Sequence, residues 1–110
     1  MITSARDCAF CRIVAKHQPT DLLYESQDVI AFNDAHPSAP VHVLIVPKKH
    51  IATFLDIVPE DAEILMHMTQ VAQELIRERG LQYSSYRMIF NGGAAQHVPH
   101  LHWHLISRGR

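Results

Sequence analysis

Near the C-terminal end of this 110-residue chain three histidines occupy every second position, His100, His102 and His104, with Leu101, Trp103 and Leu105 between and after them. A β-strand sends residues i, i+2 and i+4 to one face. The spacing therefore predicts a strand from His100 to Ser107 with one imidazole face and one apolar face. Solvated positions on an exposed sheet are the plainest reading, but such faces usually mix residue types. A shared catalytic metal fails on reach. Same-face neighbours lie roughly 6.8 Å apart and the outer pair about 13 Å apart, against a zinc–nitrogen bond of about 2.0–2.1 Å. One ion can take two of these rings, not three. Nucleophilic catalysis fits better: neutral imidazole, with an unperturbed pKa of about 6.5, attacks well near neutrality. The middle ring, His102, has an imidazole on either side to hold an anionic group such as a phosphate and to move protons.

The chain's two cysteines form a second group, Cys8-Ala9-Phe10-Cys11. A redox pair of this spacing normally follows a strand and opens a helix in a βαβ unit, and nothing before Cys8 reads as a strand. Cys-x-x-Cys is also half of a zinc site, which needs two further ligands to close a tetrahedron. Inert cysteines are the third reading.

The elements that must position these groups are legible from periodicity. Asp7 is expected to cap a short helix from Cys8 to Lys16, ended by His17-Gln18-Pro19. Residues 22–25 and 29–32 read as paired strands joined by Ser26-Gln27-Asp28. Asn33 to Pro40 is a loop, and Val41 to Val46 is a nearly continuous apolar run, hence a buried strand ended by Pro47. From Pro59 to Arg79 the period changes to that of an amphipathic helix, with Ile64, Leu65, Met68, Val71, Ala72, Leu75 and Ile76 on one face and Gly80 just beyond the end. Tyr86 to Asn91 is another strand, and Gly92 to Ala95 a small-residue loop before the histidine strand. This order predicts an α+β fold: a largely antiparallel five-stranded sheet, one long helix and a short N-terminal helix, in a single domain over residues 1–110.

Composition narrows the partners. A hydrophobic fraction of 47%, a charged fraction of 19% and a net charge of -1 describe an ordinary globular chain. They give no reason to expect nucleic acid or an anionic membrane as partner. No stretch approaches the roughly 20 apolar residues of a membrane span, and the cysteines are too few and too close for a disulfide framework. A cytoplasmic protein is expected. The unusual feature is nine histidines. Of these, His17 and His67 read as surface residues and His36 as a loop residue.

Three segments, in order, resemble a known family. His100-Leu101-His102-Trp103-His104-Leu105-Ile106 is similar to the His-x-His-x-His-x-x signature of the histidine triad superfamily. Phe32-Asn33-Asp34-Ala35-His36-Pro37-Ser38-Ala39-Pro40-Val41-His42 resembles the Phe-x-Asp-x-x-Pro-x-Ala-Pro-x-His segment of its histidine triad nucleotide-binding branch. Val46-Pro47-Lys48-Lys49-His50 resembles the Pro-Lys-x-His segment that follows. The likeness in element order runs from Cys8 to Ile106.

The resemblance implies hydrolysis at the α-phosphorus of a purine nucleoside phosphoramidate, an adenylated amine. By position His102 is the nucleophile that forms a nucleotidyl-histidine, and His104 contacts the phosphate. Asp34 accepts from the ribose hydroxyls, Asn91 and Gln96 stand on the phosphate side, and His42 supports the reacting pair or simply packs. It also implies a structural zinc, one per chain, on Cys8, Cys11, His50 and His100, so that His100 braces the strand. A homodimer, with the 59–79 helix and a sheet edge near the interface, follows from the family alone. Dinucleoside polyphosphate hydrolysis and a non-catalytic nucleotide-binding scaffold are the rival functions; Asp34 and Lys48-Lys49-His50 favour the phosphoramidase reading over the former. Two departures bear on the leaving-group side: His97 stands where the family commonly has serine, and the loop from Asn91 to His100 is shorter than in many members.

Overall fold

The computed structural model describes residues 8–16 and 18–109. In chain order the elements are α1 (Ala9–Val14), β1 (Asp21–Glu25), β2 (Val29–Asn33), β3 (Val41–Pro47), α2 (Ala62–Glu78), β4 (Arg87–Ile89) and β5 (Trp103–Ser107), with short 3-10 turns between several of them. The sheet is five-stranded, ordered β1-β2-β3-β5-β4, and every neighbouring pair is antiparallel. The α+β architecture read from the sequence is the one observed. No helix among the described residues is long and apolar enough to cross a membrane.

Both faces of the central strands are covered, which is why β2 and β3 read as continuous apolar runs rather than as alternations. Val29, Ala31, Val43, Ile45 and Leu105 face α2 and pack on Met68, Val71, Ala72 and Leu75. Ile30, Phe32, Leu44 and Val46 face the other way, onto Phe10 and Ile13 of α1. The register of β3 and β5 pairs Leu44 with His104 and His42 with Ile106. Directly opposed residues share a face, so His42 and His104 both emerge on the α1 side. Sheet register alone brings those two rings together.

The boundaries differ from the sequence reading in informative places. α1 is shorter at both ends than 8–16. Cys8 is its N-cap, its sulfur accepting from the Cys11 backbone N–H at 3.3 Å, and Lys16 leaves the helix in the left-handed region at φ 64. The expected Asp7 cap and His17 lie outside the described residues. At Pro59–Asp61 the predicted long helix begins as a separate 3-10 turn, and Gly80 takes a left-handed φ of 66 just past its end. β4 keeps only the three residues that pair with β5.

The largest correction concerns the histidine strand, which starts at Trp103 rather than His100. The β3–β5 ladder ends where Ile45 pairs with Trp103. Beyond that point β3 closes on Pro47, which has no N–H to give, and the Leu101 N–H turns instead to the Ile51 carbonyl at 2.6 Å. His100, Leu101 and His102 form a lead-in segment whose polar groups pair outside the sheet.

Two side-chain braces anchor α2. Buried Asp61 accepts from Lys49 Nζ at 2.6 Å and from the Val58 N–H at 3.1 Å. His67, expected at the surface, bridges Asp28 through Nδ1 at 2.5 Å and the Tyr24 hydroxyl through Nε2 at 2.8 Å. It ties the β1–β2 hairpin to the helix.

Candidate active site and metal centre

On the α1 side of the sheet lies a cavity of about 840 Å³. Its wall is apolar where Phe10, Ile13, Phe32 and Leu44 meet, and polar where Asp34, His42, Asn91, His97, His102 and His104 face in. Five residues singled out from the sequence, Asp34, His42, Asn91, His102 and His104, therefore share one cavity. Gln96 does not line it. Its side-chain amide donates to the carbonyls of Ala52 at 2.7 Å and Val98 at 3.0 Å, which clamps the loop.

The proton positions on the three cavity imidazoles follow from their partners. His102 Nδ1 lies 2.7 Å from the His100 carbonyl oxygen. A carbonyl only accepts, so Nδ1 carries the hydrogen and the lone pair of the neutral ring sits on Nε2. The edge-on ring of Phe10, with centroids 4.9 Å apart, packs against the same imidazole. At His42 the order is reversed. The Ser38 backbone N–H donates to Nδ1 at 3.0 Å, with the Ser38 hydroxyl at 3.3 Å, which leaves the proton on Nε2. That Nε2 is 2.8 Å from His104 Nδ1 and 3.3 Å from Asp34 Oδ2. His104 thus accepts at Nδ1 and, when neutral, bears its hydrogen on Nε2. This last atom is buried without a hydrogen-bond partner among the described residues, on a ring that lines the cavity. The rings of His102 and His104 lie 4.9 Å apart. One lone pair and one N–H stand side by side.

Electrostatics keep this pair uncharged. Burial, followed by repulsion from His102 and His42, brings His104 down to about 4. Burial likewise holds His102 below the usual histidine range, against the opposing pull of the His100 carbonyl and Asp34.

Beneath the cavity floor the remaining sequence candidates meet. The ligating atoms of Cys8, Cys11, His50 and His100 all lie within 4.8 Å of one another. His100 Nδ1 is 3.2 Å from the Cys8 sulfur and 3.4 Å from that of Cys11, which is 3.0 Å from His50 Nδ1. His100 Nε2 donates to the Pro47 carbonyl at 2.7 Å, so its lone pair is aimed at the sulfurs, the orientation a metal-bound imidazole needs. Two thiols and two imidazoles fit a closed tetrahedral centre. Without a cation, burial and the neighbouring Cys8 push the Cys11 thiol up to about 12; a bound dication would reverse that balance.

Asp34, His42 and His104 also bring ligating atoms within 4.8 Å, but their chemistry is different. A metal on His42 Nε2 requires the ring proton on Nδ1, and there the Ser38 N–H already donates. This cluster places protons rather than an ion.

Ser38 was not singled out by the sequence reading. It sits four residues before His42 in a loop between two prolines, and only the folded loop reveals the contact. Pro47 is the other such residue, since its contribution is a backbone carbonyl.

The family model for the scavenger mRNA decapping enzyme C-terminal binding region matches residues 7–109. The chain belongs to the histidine triad superfamily. A purine nucleoside phosphoramidase of Escherichia coli K12 is 35% identical over 104 residues, covering 93% of this chain and 87% of that one. Among solved structures, a HIT family hydrolase from Legionella pneumophila superposes with a TM-score of 0.88 at 38% identity, covering 94% of each chain. One from Clostridium thermocellum gives 0.86 at 42% identity, covering 94% of this chain and 90% of the other. With that membership the chain is a hydrolase of the histidine triad type.

The lowered His104 pKa has a consequence for stability. Between pH 4 and 6.5 the unfolded imidazole binds a proton that the folded one refuses. Folding stability should therefore rise with pH across this window, through this residue. Urea unfolding of wild type and His104→Gln at pH 4.5 and 7 checks it. The wild type should gain more stability over the interval than the variant, and equal gains would contradict the assignment.

Proposed function

We propose that this hydrolase cleaves purine nucleoside phosphoramidates, releasing an amine and a nucleoside monophosphate through a nucleotidyl-histidine on His102. The observation that supports this most directly is the pairing of a lone pair on His102 Nε2 with an N–H on His104 Nε2 in one cavity. The named activity of the Escherichia coli relative points the same way.

In the first half-reaction His102 Nε2 attacks the α-phosphorus while its Nδ1–H stays on the His100 carbonyl, which stabilises the developing imidazolium. The buried His104 Nε2–H donates to a non-bridging oxygen, where charge builds in the transition state. His42 fixes that tautomer of His104, and Ser38 fixes that of His42. Asp34 is assigned to the ribose hydroxyls, and Asn91 to the phosphate side. The apolar wall of Phe10, Ile13, Phe32 and Leu44 would receive the base. Water then cleaves the phosphorus–nitrogen bond to His102. Gln96 contributes by holding the loop.

The Cys8, Cys11, His50 and His100 cluster is assigned to one structural zinc per chain. When bound, it would supply no chemistry at phosphorus, only rigidity to the His100 peptide whose carbonyl orients His102. A homodimer is also inferred. β4 is an edge strand, and Tyr86, Met88 and Phe90 expose apolar surface along it. A groove of about 330 Å³ separates that edge from Gln73 and Ile76 of α2. A second copy would cover this surface.

Three experiments follow. Adenosine 5′-phosphoramidate and a diadenosine polyphosphate, offered separately, should show preferential turnover of the first. His102→Ala should lower kcat at least about 1000-fold, a nucleophile's share being several kcal/mol, with AMP still bound. Cleavage of only the polyphosphate, or a nearly active variant, would contradict the assignment. Native mass spectrometry of protein purified without added zinc should find two chains and two zinc ions. Metal-free monomers would overturn both structural inferences.

A further inference from the structure

The cavity wall carries one imidazole that the steps above leave idle. His97 is exposed, lines the cavity together with His102 and His104, and makes no hydrogen bond or ion pair among the described residues. Its backbone is nevertheless firmly placed. Gln96 just before it is pinned to the Ala52 and Val98 carbonyls, the Gln96 N–H closes a 3-10 turn onto Gly93 at 3.1 Å, and Val98 just after it packs into the α1 core. A side chain without a hydrogen bond, on a fixed mount and on the same cavity wall as the reacting pair, suits a group that must meet substrate. The His97 side chain shares the cavity wall with Asn91, His102 and His104. His36, the other exposed histidine on the wall, sits beside Asp34, its backbone N–H donating to Asp34 Oδ1 at 2.9 Å, on the side assigned to the ribose.

Phosphoramidate cleavage, on which this inference rests, needs a proton that the other residues do not supply. An alkylamine leaves as the neutral amine, so its nitrogen must be protonated as the phosphorus–nitrogen bond breaks. The remaining ionisable groups on the wall are Asp21, Asp34, His36, His42, His102 and His104. His102 must present its unprotonated nitrogen to attack. His104 has its one hydrogen directed at the phosphoryl oxygen, and His42 donates its own to His104. Asp21 is engaged by the Asn33 side chain at 2.8 Å, and Asp34 is assigned to the ribose.

We propose that His97 is the general acid for the leaving amine. As His102 Nε2 bonds to phosphorus, the electron pair of the breaking bond passes to nitrogen, which takes a proton from the His97 imidazolium. The products are the neutral amine, nucleotidyl-His102 and neutral His97. In the second half-reaction neutral His97 removes a proton from the attacking water. The phosphorus–His102 bond breaks, nucleoside monophosphate leaves, and the imidazolium is restored.

First-turnover release separates this role from a structural one. Wild type and His97→Ala are each mixed in excess with an alkylamine phosphoramidate of AMP, whose leaving group needs a proton, and with a p-nitrophenyl ester of AMP, whose leaving group departs as an anion. The ratio of the two release rates should fall about 100-fold in the variant, at the lower end of general acid–base effects, and added imidazole should restore part of the amine release. An unchanged ratio, whether both rates fall or neither does, overturns the role of His97 alone. Failure of the wild type to release amine at all overturns the phosphoramidase reading, and the inference with it.

Discussion

A single hydrogen bond organises this site: His102 Nδ1 to the carbonyl of His100, at 2.7 Å. It decides which nitrogen of His102 is free, and therefore where an electrophile must stand. The carbonyl can act only if the peptide carrying it is rigid, and the surrounding structure supplies that rigidity. His100 is fully buried, its ring held by the Pro47 carbonyl on one side and the two sulfurs on the other. The N–H of that same peptide, carried by Leu101, is tied to the Ile51 carbonyl. The cysteine–histidine cluster and the cavity are thus two ends of one short segment.

The same logic of donors and acceptors runs along the neighbouring strands. Ser38 sets His42, and His42 sets His104, ending in a buried N–H that faces the cavity. That N–H is the donor the described residues leave available to a phosphoryl oxygen in the cavity. Burial, together with neighbouring imidazoles, disfavours the charged form of both His102 and His104, so a lone pair and a donor coexist where two imidazoliums would be inert. Sheet register explains why these rings meet, and loop geometry explains which protons they hold.

How much of this was legible in the sequence depends on which physical rule each residue obeys. The long helix, the buried strands and the sheet class followed from periodicity, because core packing enforces it. The separation of His100 from His102 and His104 was also legible, since Cys8 and Cys11 required further ligands. The strand itself was drawn too long. Alternation is silent about where backbone N–H groups find partners, and Pro47 and Ile51 end the ladder before His102. The loop-clamping contacts of Gln96 leave no trace in the sequence, because a motif position does not reveal that a side-chain amide satisfies two loop carbonyls. His67 was assigned to the surface because its partners, Asp28 and Tyr24, lie 39 and 43 residues away. Ser38 left no signal, as its main contribution is a backbone N–H.

The proton arrangement of the three cavity imidazoles is the centre of this account, and nitrogen-15 NMR of histidine-labelled protein at neutral pH reads it directly. Long-range couplings from the ring carbon-bound hydrogens distinguish a protonated nitrogen from one with a lone pair. His102 should show the hydrogen on Nδ1, and His42 and His104 should show theirs on Nε2. A His102 ring protonated at Nε2, or a pair of imidazoliums, would contradict it.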